Sequence, residues 1–93
     1  MWLDVFELVF DPVNEGKFAE HGVSAIDVLD VLDLEPRFFV NRRVRRASHV
    51  MVGRTRSGRV LIVPIEDWGR GVWRPVTAFE ANGWQVRRYG SSL

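Results

Sequence analysis

The chain contains no cysteine and only two histidines, His21 and His49. The absence of thiols excludes disulfides and thiolate metal sites, and two isolated histidines do not provide the ligand spacing of a zinc site. We therefore expect neither a metal nor a cofactor. Ninety-three residues, 46% of them hydrophobic, can build one hydrophobic core without such support. A single domain spanning residues 1–93 is expected.

Long apolar runs are also absent. The N-terminal MWLDVFELVF is interrupted by Asp4 and Glu7, no basic residues precede it, and no small-residue cleavage site follows it. No segment approaches the roughly 20 apolar residues of a membrane helix. The N-terminal segment is interpreted as a β-strand. We expect a cytoplasmic protein without a membrane partner.

The charged residues are divided unevenly along the chain. Residues 1–35 carry nine acidic residues and one lysine, a net charge of −8, whereas residues 36–93 carry twelve arginines and three acidic residues, a net charge of +9. Such asymmetry favours two faces with different partners, of which the basic face suits phosphate. The alternative is that the two halves neutralise one another within the fold.

Local signals predict two helices in the acidic half. Asp11 followed by Pro12 is typical of a helix start, Gly22 of a helix end, and Ser24 with Asp27 of a capping box that starts a second helix. The first helix is expected from about Pro12 to His21. The apolar face of the second helix consists of Ala25, Val28, Leu29 and Leu32. The opposite face carries three aspartates at a spacing of three, Asp27, Asp30 and Asp33, which are expected to be solvated.

A two-residue period replaces the helical one after Pro36. The pairs Phe38/Val40 and Val50/Val52, the run Val60–Ile65 and the segment Val72–Phe79 predict three or four antiparallel strands, with a hairpin turn at Arg56–Gly58. Pro64 and Pro75 predict an edge, a bulge or a strand end. A short final helix is expected within Glu80–Tyr89. The fold class is therefore α+β: an N-terminal strand, two helices, a small antiparallel sheet and a C-terminal helix.

Arginine is concentrated in the sheet-forming half. The segment NRRVRR contains Arg42, Arg43, Arg45 and Arg46, which with His49 are the candidate RNA-binding residues. Guanidinium groups bind phosphate through paired hydrogen bonds, and nearby aromatic rings, namely Phe38, Phe39, Trp68 and Trp73, are candidates for stacking on bases. RNA is thus a reasonable ligand, although an arginine-rich hairpin is also typical of an edge strand protected against aggregation.

Metal-dependent and nucleotide-binding motifs are absent from the basic half. Phosphodiester cleavage would then proceed by attack of the ribose 2′-OH, with arginines stabilising the phosphate and a proton-transferring side chain nearby. His49, Glu66 and Tyr89 are the titratable candidates there. His21, at a predicted helix C-terminus, is more typical of a cap than of a catalyst.

Three segments and a closing tyrosine resemble one known family. DPVNEGKFAEHGVSAIDVLDVL, GRTRSGRVLIV, WRPVTAFEA and Tyr89 are similar to the BrnT family of bacterial type II toxins, small RelE-like ribonucleases. The resemblance spans Asp11 to Tyr89. It implies a metal-independent endoribonuclease that acts on RNA. It also implies a complex with a small DNA-binding antitoxin of the ribbon-helix-helix or a similar class, in which a dimer can assemble. The site residues that it implies are Asn14, His21, Arg54, Arg59, Arg74 and Tyr89.

Two positions depart from the family pattern. Phe79 stands where an arginine is usual, and Gln85 where a glutamate is common. A phenyl ring does not stabilise a phosphorane and an amide does not transfer a proton, and loss of one preorganised donor costs about 10²–10³ in rate. Three hypotheses follow: an RNA-cleaving toxin, a catalytically silent module that binds RNA or an antitoxin, and a regulatory subunit whose acidic half docks a basic partner.

Overall fold

The computed structural model describes residues 3–42, 45–90 and 93. Its elements follow the expected α+β order of an N-terminal strand, two helices, a run of strands and a final helix. They are β1 (Glu7–Leu8), α1 (Pro12–Glu20), α2 (Ala25–Asp33), β2 (Arg37–Val40), β3 (His49–Arg54), β4 (Val60–Asp67), β5 (Val72–Pro75), β6 (Phe79–Glu80) and α3 (Gly83–Tyr89).

One six-stranded sheet organises the fold. Its strand order is β1-β5-β4-β3-β2, and β6 pairs with β4 beyond the end of β5. Strands β2 to β5 are antiparallel, as expected, whereas β1 adds to β5 in parallel. The expected N-terminal strand is β1, and the chain after the helices forms five strands rather than the three or four predicted, because the last predicted strand is divided into β5 and the two-residue β6.

The helices α1 and α2 cover one face of the sheet. Their buried residues Phe18, Val28 and Val31 pack against an alternating set of strand residues, and the resulting main core also contains Phe38, Met51, Leu61, Val63, Ile65 and Trp73. The predicted apolar face of α2 is only partly correct, since Leu29 is 40% exposed and Val31 is fully buried instead.

Both predicted helix starts are confirmed. Asp11 accepts hydrogen bonds from the backbone of Val13 and Asn14, and Ser24 and Asp27 form a reciprocal capping box. Gly22 has φ = 67° and turns the chain between the two helices. A residue with a Cβ atom rarely adopts this conformation, which explains the glycine in the HGVS segment.

The opposite face of the sheet carries a second, smaller core, formed by Val52, Val60, Ile62 and Ala81. Half-buried side chains pack around it, among them Phe39, Val50, Phe79 and Tyr89. No residue of α3 is buried. This face is therefore covered only in part by β6 and α3, and the remainder is open.

The structure explains the positions of Pro64 and Asn82. The predicted final strand Val72–Phe79 is divided into β5 and β6, and Pro64 lies at the gap between these two neighbours of β4. The carbonyl of Pro64 accepts a hydrogen bond from the amide of Val76. The side of β4 on which Pro64 has no N–H to donate therefore faces the gap between β5 and β6. The predicted final helix is α3, and Asn82 is its N-cap. Among the described residues, no helix has the length and apolar character needed to cross a membrane.

We predict that Gly53→Ala lowers the free energy of unfolding. A Cβ atom at Gly53 would lie 2.9 Å from Val31 and 3.3 Å from Pro36, where α2 packs on β3. Overpacking of this kind costs about 1–3 kcal/mol. Gly16→Ala is the matched control, because nothing lies within 4 Å of its new Cβ atom and helix propensity favours alanine. Urea denaturation of both variants measures the difference; equal or greater stability of Gly53→Ala would contradict the close packing.

Candidate nucleic-acid interface

The expectation that the three aspartates of α2 are solvated is wrong for Asp30, whereas Asp33 is exposed and Asp27 is half-buried. Asp30 is buried and forms an ion pair with Arg56, and Asp33 lies 3.9 Å from the same guanidinium. Asp27 lies 3.6 Å from Nη1 of Arg59. Arginines that follow the sheet strands thus reach back to the acidic helix. The two halves of the chain neutralise one another at these positions.

Arg74 is the only buried arginine among those described. It is 8% exposed, and its Nε and Nη2 donate to the two carboxylate oxygens of Asp11 at 2.8 and 3.1 Å. This paired hydrogen bond, with the backbone amide of Asn14, lowers the pKa of Asp11 to about 2, and the carboxylate raises the pKa of Arg74 above its ordinary value. Arg74, predicted to bind phosphate, instead anchors the start of α1 to β5.

Asn14, another residue implied by the family resemblance, belongs to the same anchor. Its side-chain amide donates to the carbonyls of Val9 and Pro75 at 2.8 and 2.9 Å, and it is fully buried. Its role is therefore structural: it satisfies two backbone acceptors where β1 and β5 end.

The helix corner at Gly22 brings two predicted catalytic residues close together. Arg59 donates through Nη1 to the carbonyl of Gly22 and through Nε to Glu80 at 2.8 Å. His21, the C-cap of α1, is exposed, and its ring centroid lies 5.9 Å from that of Phe79. A histidine, an arginine and a glutamate thus surround one corner, which we name the Gly22 corner: His21, Gly22, Arg59 and Glu80.

An open groove runs along the second face of the sheet, beside α3. It consists of two adjoining cavities of about 600 and 470 Å³, which share Asn41, Val50 and Tyr89. The sheet provides the floor, including Ile62 and Pro64, and the loop after β2 forms one wall. That loop is closed by Asn41, whose side chain donates to the carbonyl of Ala47 at 2.9 Å. We name this feature the basic groove.

The charge lining the basic groove is of one sign. Among the described residues its walls contain four arginines, Arg42, Arg45, Arg46 and Arg88, and no carboxylate. Of these, Arg46 lies 3.4 Å from Glu66 with its side chain 72% exposed, so the pair is a weak, solvent-screened one. The groove therefore presents a positive surface that the acidic helices do not neutralise.

Aromatic rings lie within the same groove. Tyr89 packs against Phe39 with ring centroids 4.8 Å apart, and Phe79 lines the larger cavity. The guanidinium of Arg88 lies 5.7 Å from the centroid of the Tyr89 ring. A half-buried ring beside a cation offers a base both a stacking surface and a nearby charge.

Of the four aromatic residues predicted to stack on bases, only Phe39 is half-buried in the groove. Phe38 borders the smaller cavity, but it is 7% exposed and packs in the main core, as Trp73 does. Trp68 is exposed and lines neither cavity. The stacking prediction is therefore wrong for the buried rings of Phe38 and Trp73, and Trp68 lies away from this groove.

The remaining candidates lie elsewhere. His49 packs edge-on against Trp73, with centroids 5.4 Å apart, and it lines neither cavity. Arg54 is exposed at the end of β3, at the other end of the sheet. Arg43 lies outside the described residues. The structure thus separates the predicted catalytic set: Tyr89 lies in the groove, His21 and Arg59 at the Gly22 corner, Arg74 in the anchor, and Arg54 apart from all of them.

Sequence reasoning did not identify the contributions of Arg88, Thr77 and Asn41 to the groove. Their only signal was local polarity beside predicted strands, whereas the groove depends on how α3 crosses the sheet. Phe79 and Gln85, the two departures from the family pattern, both line the larger cavity. Within the part of the chain that the structure describes, no group of three or more His, Asp or Glu side chains is placed to hold a metal ion.

In comparisons with known proteins, no family model, no curated protein and no solved structure matches this chain.

We predict that the Asp11–Arg74 anchor makes stability depend on acidity. Because the folded pKa of Asp11, about 2, lies below its ordinary value of 3.8, the anchor stabilises the fold fully above about pH 4. This contribution is lost as the pH falls toward about 2. Asp11→Asn keeps a good N-cap but removes the charge, so the variant should be less stable than wild type at neutral pH, and the difference should shrink between about pH 4 and 2.

Urea denaturation at a series of pH values measures this difference. Asp4→Asn, at an exposed carboxylate without an ion pair among the described residues, is the control and should match wild type throughout. A stability loss in Asp11→Asn that does not vary with pH would contradict the charged anchor.

Proposed function

We propose that this protein binds single-stranded RNA in the basic groove. The observation that carries the proposal is the combination, in one open groove whose described lining contains no carboxylate, of four arginines and half-buried aromatic rings. Only Arg46 among these arginines forms an ion pair with a described residue, and that pair is exposed to solvent. Guanidinium groups bind the phosphates, and base stacking on aromatic side chains contributes about 1–3 kcal/mol per base. A catalytically silent module that holds RNA needs no more than these groups.

The shape of the groove supports a single strand rather than a duplex. Duplex RNA is read by contacts across its shallow minor groove and its phosphates, whereas unpaired bases enter pockets and stack on rings. Tyr89 and Phe39 lie tilted against one another on the groove floor, where a splayed base reaches them. Thr77 and Gln85 supply polar atoms in the adjoining cavity.

We predict that the double variant Arg42→Gln/Arg45→Gln binds a single-stranded oligonucleotide at least about tenfold more weakly than wild type. Its salt dependence should also weaken, by about 0.7 in the slope of log K against log salt for each phosphate that is no longer neutralised. Fluorescence anisotropy at several salt concentrations measures both. Arg70→Gln/Arg87→Gln removes the same charge from exposed positions outside the groove and is the matched control. Equal weakening by both double variants would contradict binding in the groove.

RNA cleavage is the second candidate function, and the Gly22 corner favours it. His21 is exposed there and Arg59 keeps its Nη2 atom without a hydrogen bond among the described residues, while Phe79 connects the corner to the groove wall. In this proposal, bound RNA passes the corner, His21 accepts the proton of the attacking 2′-OH, and Arg59 stabilises the phosphate. The P–O5′ bond breaks as the P–O2′ bond forms, which leaves a 2′,3′-cyclic phosphate, and a water molecule protonates the departing 5′-oxygen.

We predict that wild-type protein incubated with total RNA in EDTA produces fragments, and that His21→Ala lowers the rate about 10²-fold or more while oligonucleotide affinity stays within about twofold. Gel electrophoresis and anisotropy measure the two properties. Tyr89→Phe, which keeps the ring in the groove, should cleave as wild type does. Intact RNA with the folded wild type, or undiminished cleavage by His21→Ala, would contradict catalysis at the Gly22 corner and leave the binding proposal standing.

With this function we propose a protein partner, the small DNA-binding antitoxin that the BrnT resemblance implies. The complex would form in the cytoplasm and can contain a dimer. Exposed apolar residues beside the groove support a protein partner on this side: Trp84 is 58% and Val86 36% exposed on α3. An antitoxin seated there would cover the basic groove and compete with RNA.

A further inference from the structure

A second cluster of unneutralised arginines lies at the opposite end of the same sheet face. Arg37 begins β2 and Arg54 ends β3, and both line a cavity of about 440 Å³. Arg37 is paired in register with Val52, two residues before Arg54. Because side chains two residues apart in a strand share a face, Arg37 and Arg54 lie on the side of the sheet that carries the basic groove.

Neither arginine forms an ion pair with a described acidic residue of the first 35 residues. Both are exposed, and neither forms an ion pair with a described residue. Arg56, which lines the same cavity, is by contrast paired with Asp30. Glu35 is the only carboxylate side chain among the described residues of the cavity wall. By side chains, Arg37 and Arg54 exceed this one carboxylate, although Arg37 also borders a neighbouring cavity that contains Asp4 and Asp33.

The edge strand β2 connects this cavity to the basic groove. Arg37 begins β2, and Arg42 lies two residues beyond its last residue, Val40, so that at most about 18 Å of chain separates them. Phe39, between them, lines the groove. The outer edge of β2 pairs with no strand in the described part of the fold, so its backbone is open along this length. An extended polyanion lying in the groove is thereby directed toward Arg37 and Arg54.

We infer that Arg37 and Arg54 form a second phosphate subsite for the same RNA strand, separate from the basic groove. This inference depends on the RNA-binding function proposed above and specifies its ligand: a strand long enough to reach both ends of β2. Arg54, which the sequence suggested as catalytic, is then a substrate-binding residue remote from the reacting phosphate.

The test is a length series of oligouridylates of about 4, 8 and 12 nucleotides, a range typical of single-strand sites. Wild-type affinity should rise steeply between the shortest and the longest. Arg37→Gln/Arg54→Gln should bind the shortest oligonucleotide as wild type does and the longest about five- to tenfold more weakly, with a reduced salt slope. Fluorescence anisotropy measures both, and circular dichroism verifies the fold.

Lys17→Gln/Arg70→Gln is the matched control for lost charge, because both residues are exposed and line none of these three cavities. Unchanged binding of the longest oligonucleotide by the Arg37/Arg54 variant overturns the second subsite while the groove proposal survives. Equal weakening on all lengths, or equal weakening by the control, also overturns it. If wild type retains no oligonucleotide at all, the groove proposal fails and the subsite fails with it.

Discussion

Ion pairs between the acidic helices and the arginine-rich sheet determine which arginines remain available to a ligand. Asp11 binds Arg74, Asp30 binds Arg56, and Asp27 approaches Arg59. In the first of these, two parallel hydrogen bonds link helix cap and strand, so one carboxylate both starts α1 and satisfies a buried guanidinium. Removal of that carboxylate would leave the charge of Arg74 buried without its partner, which is costly.

This pairing sorts the basic half into two groups. Arginines that face the helices form ion pairs that stabilise the fold. Those on the second face and around the loop after β2 remain accessible to solvent or to an anionic ligand. The net charge of +1 conceals this division. A surface can thus be strongly positive in a nearly neutral protein, because the compensating carboxylates are committed elsewhere.

Local chemistry made much of the fold predictable. The roles of Asp11, Gly22 and Ser24 at the helix ends involve only residues within three or four positions along the chain. The structure places each of the three in its expected role. The partners of Arg74 and Arg56 were not predictable, because Asp11 and Asp30 lie 63 and 26 residues away and no periodicity links them. The groove was missed for a similar reason: it exists only where α3, started by Asn82, crosses a sheet face that local patterns leave open.

The two departures from the toxin pattern now have a location. Phe79 and Gln85 lie in the groove wall, and the ring of Phe79 also lies beside that of His21. In the functions proposed above, this wall holds RNA and His21 of the Gly22 corner accepts the proton. Binding and cleavage would then occupy adjacent places on one surface, and each can be lost without the other. The proposed binding depends on the division of the arginines into a paired, structural group and an open group.

Side-chain NMR of the arginine Nε–H groups, during titration with a single-stranded oligonucleotide, tests this division most directly. We expect the resonances of Arg42, Arg45 and Arg88 to shift while those of Arg56 and Arg74 stay in place. Shifts of the paired group, with the groove arginines unmoved, would show that the ligand-binding arginines have been wrongly assigned.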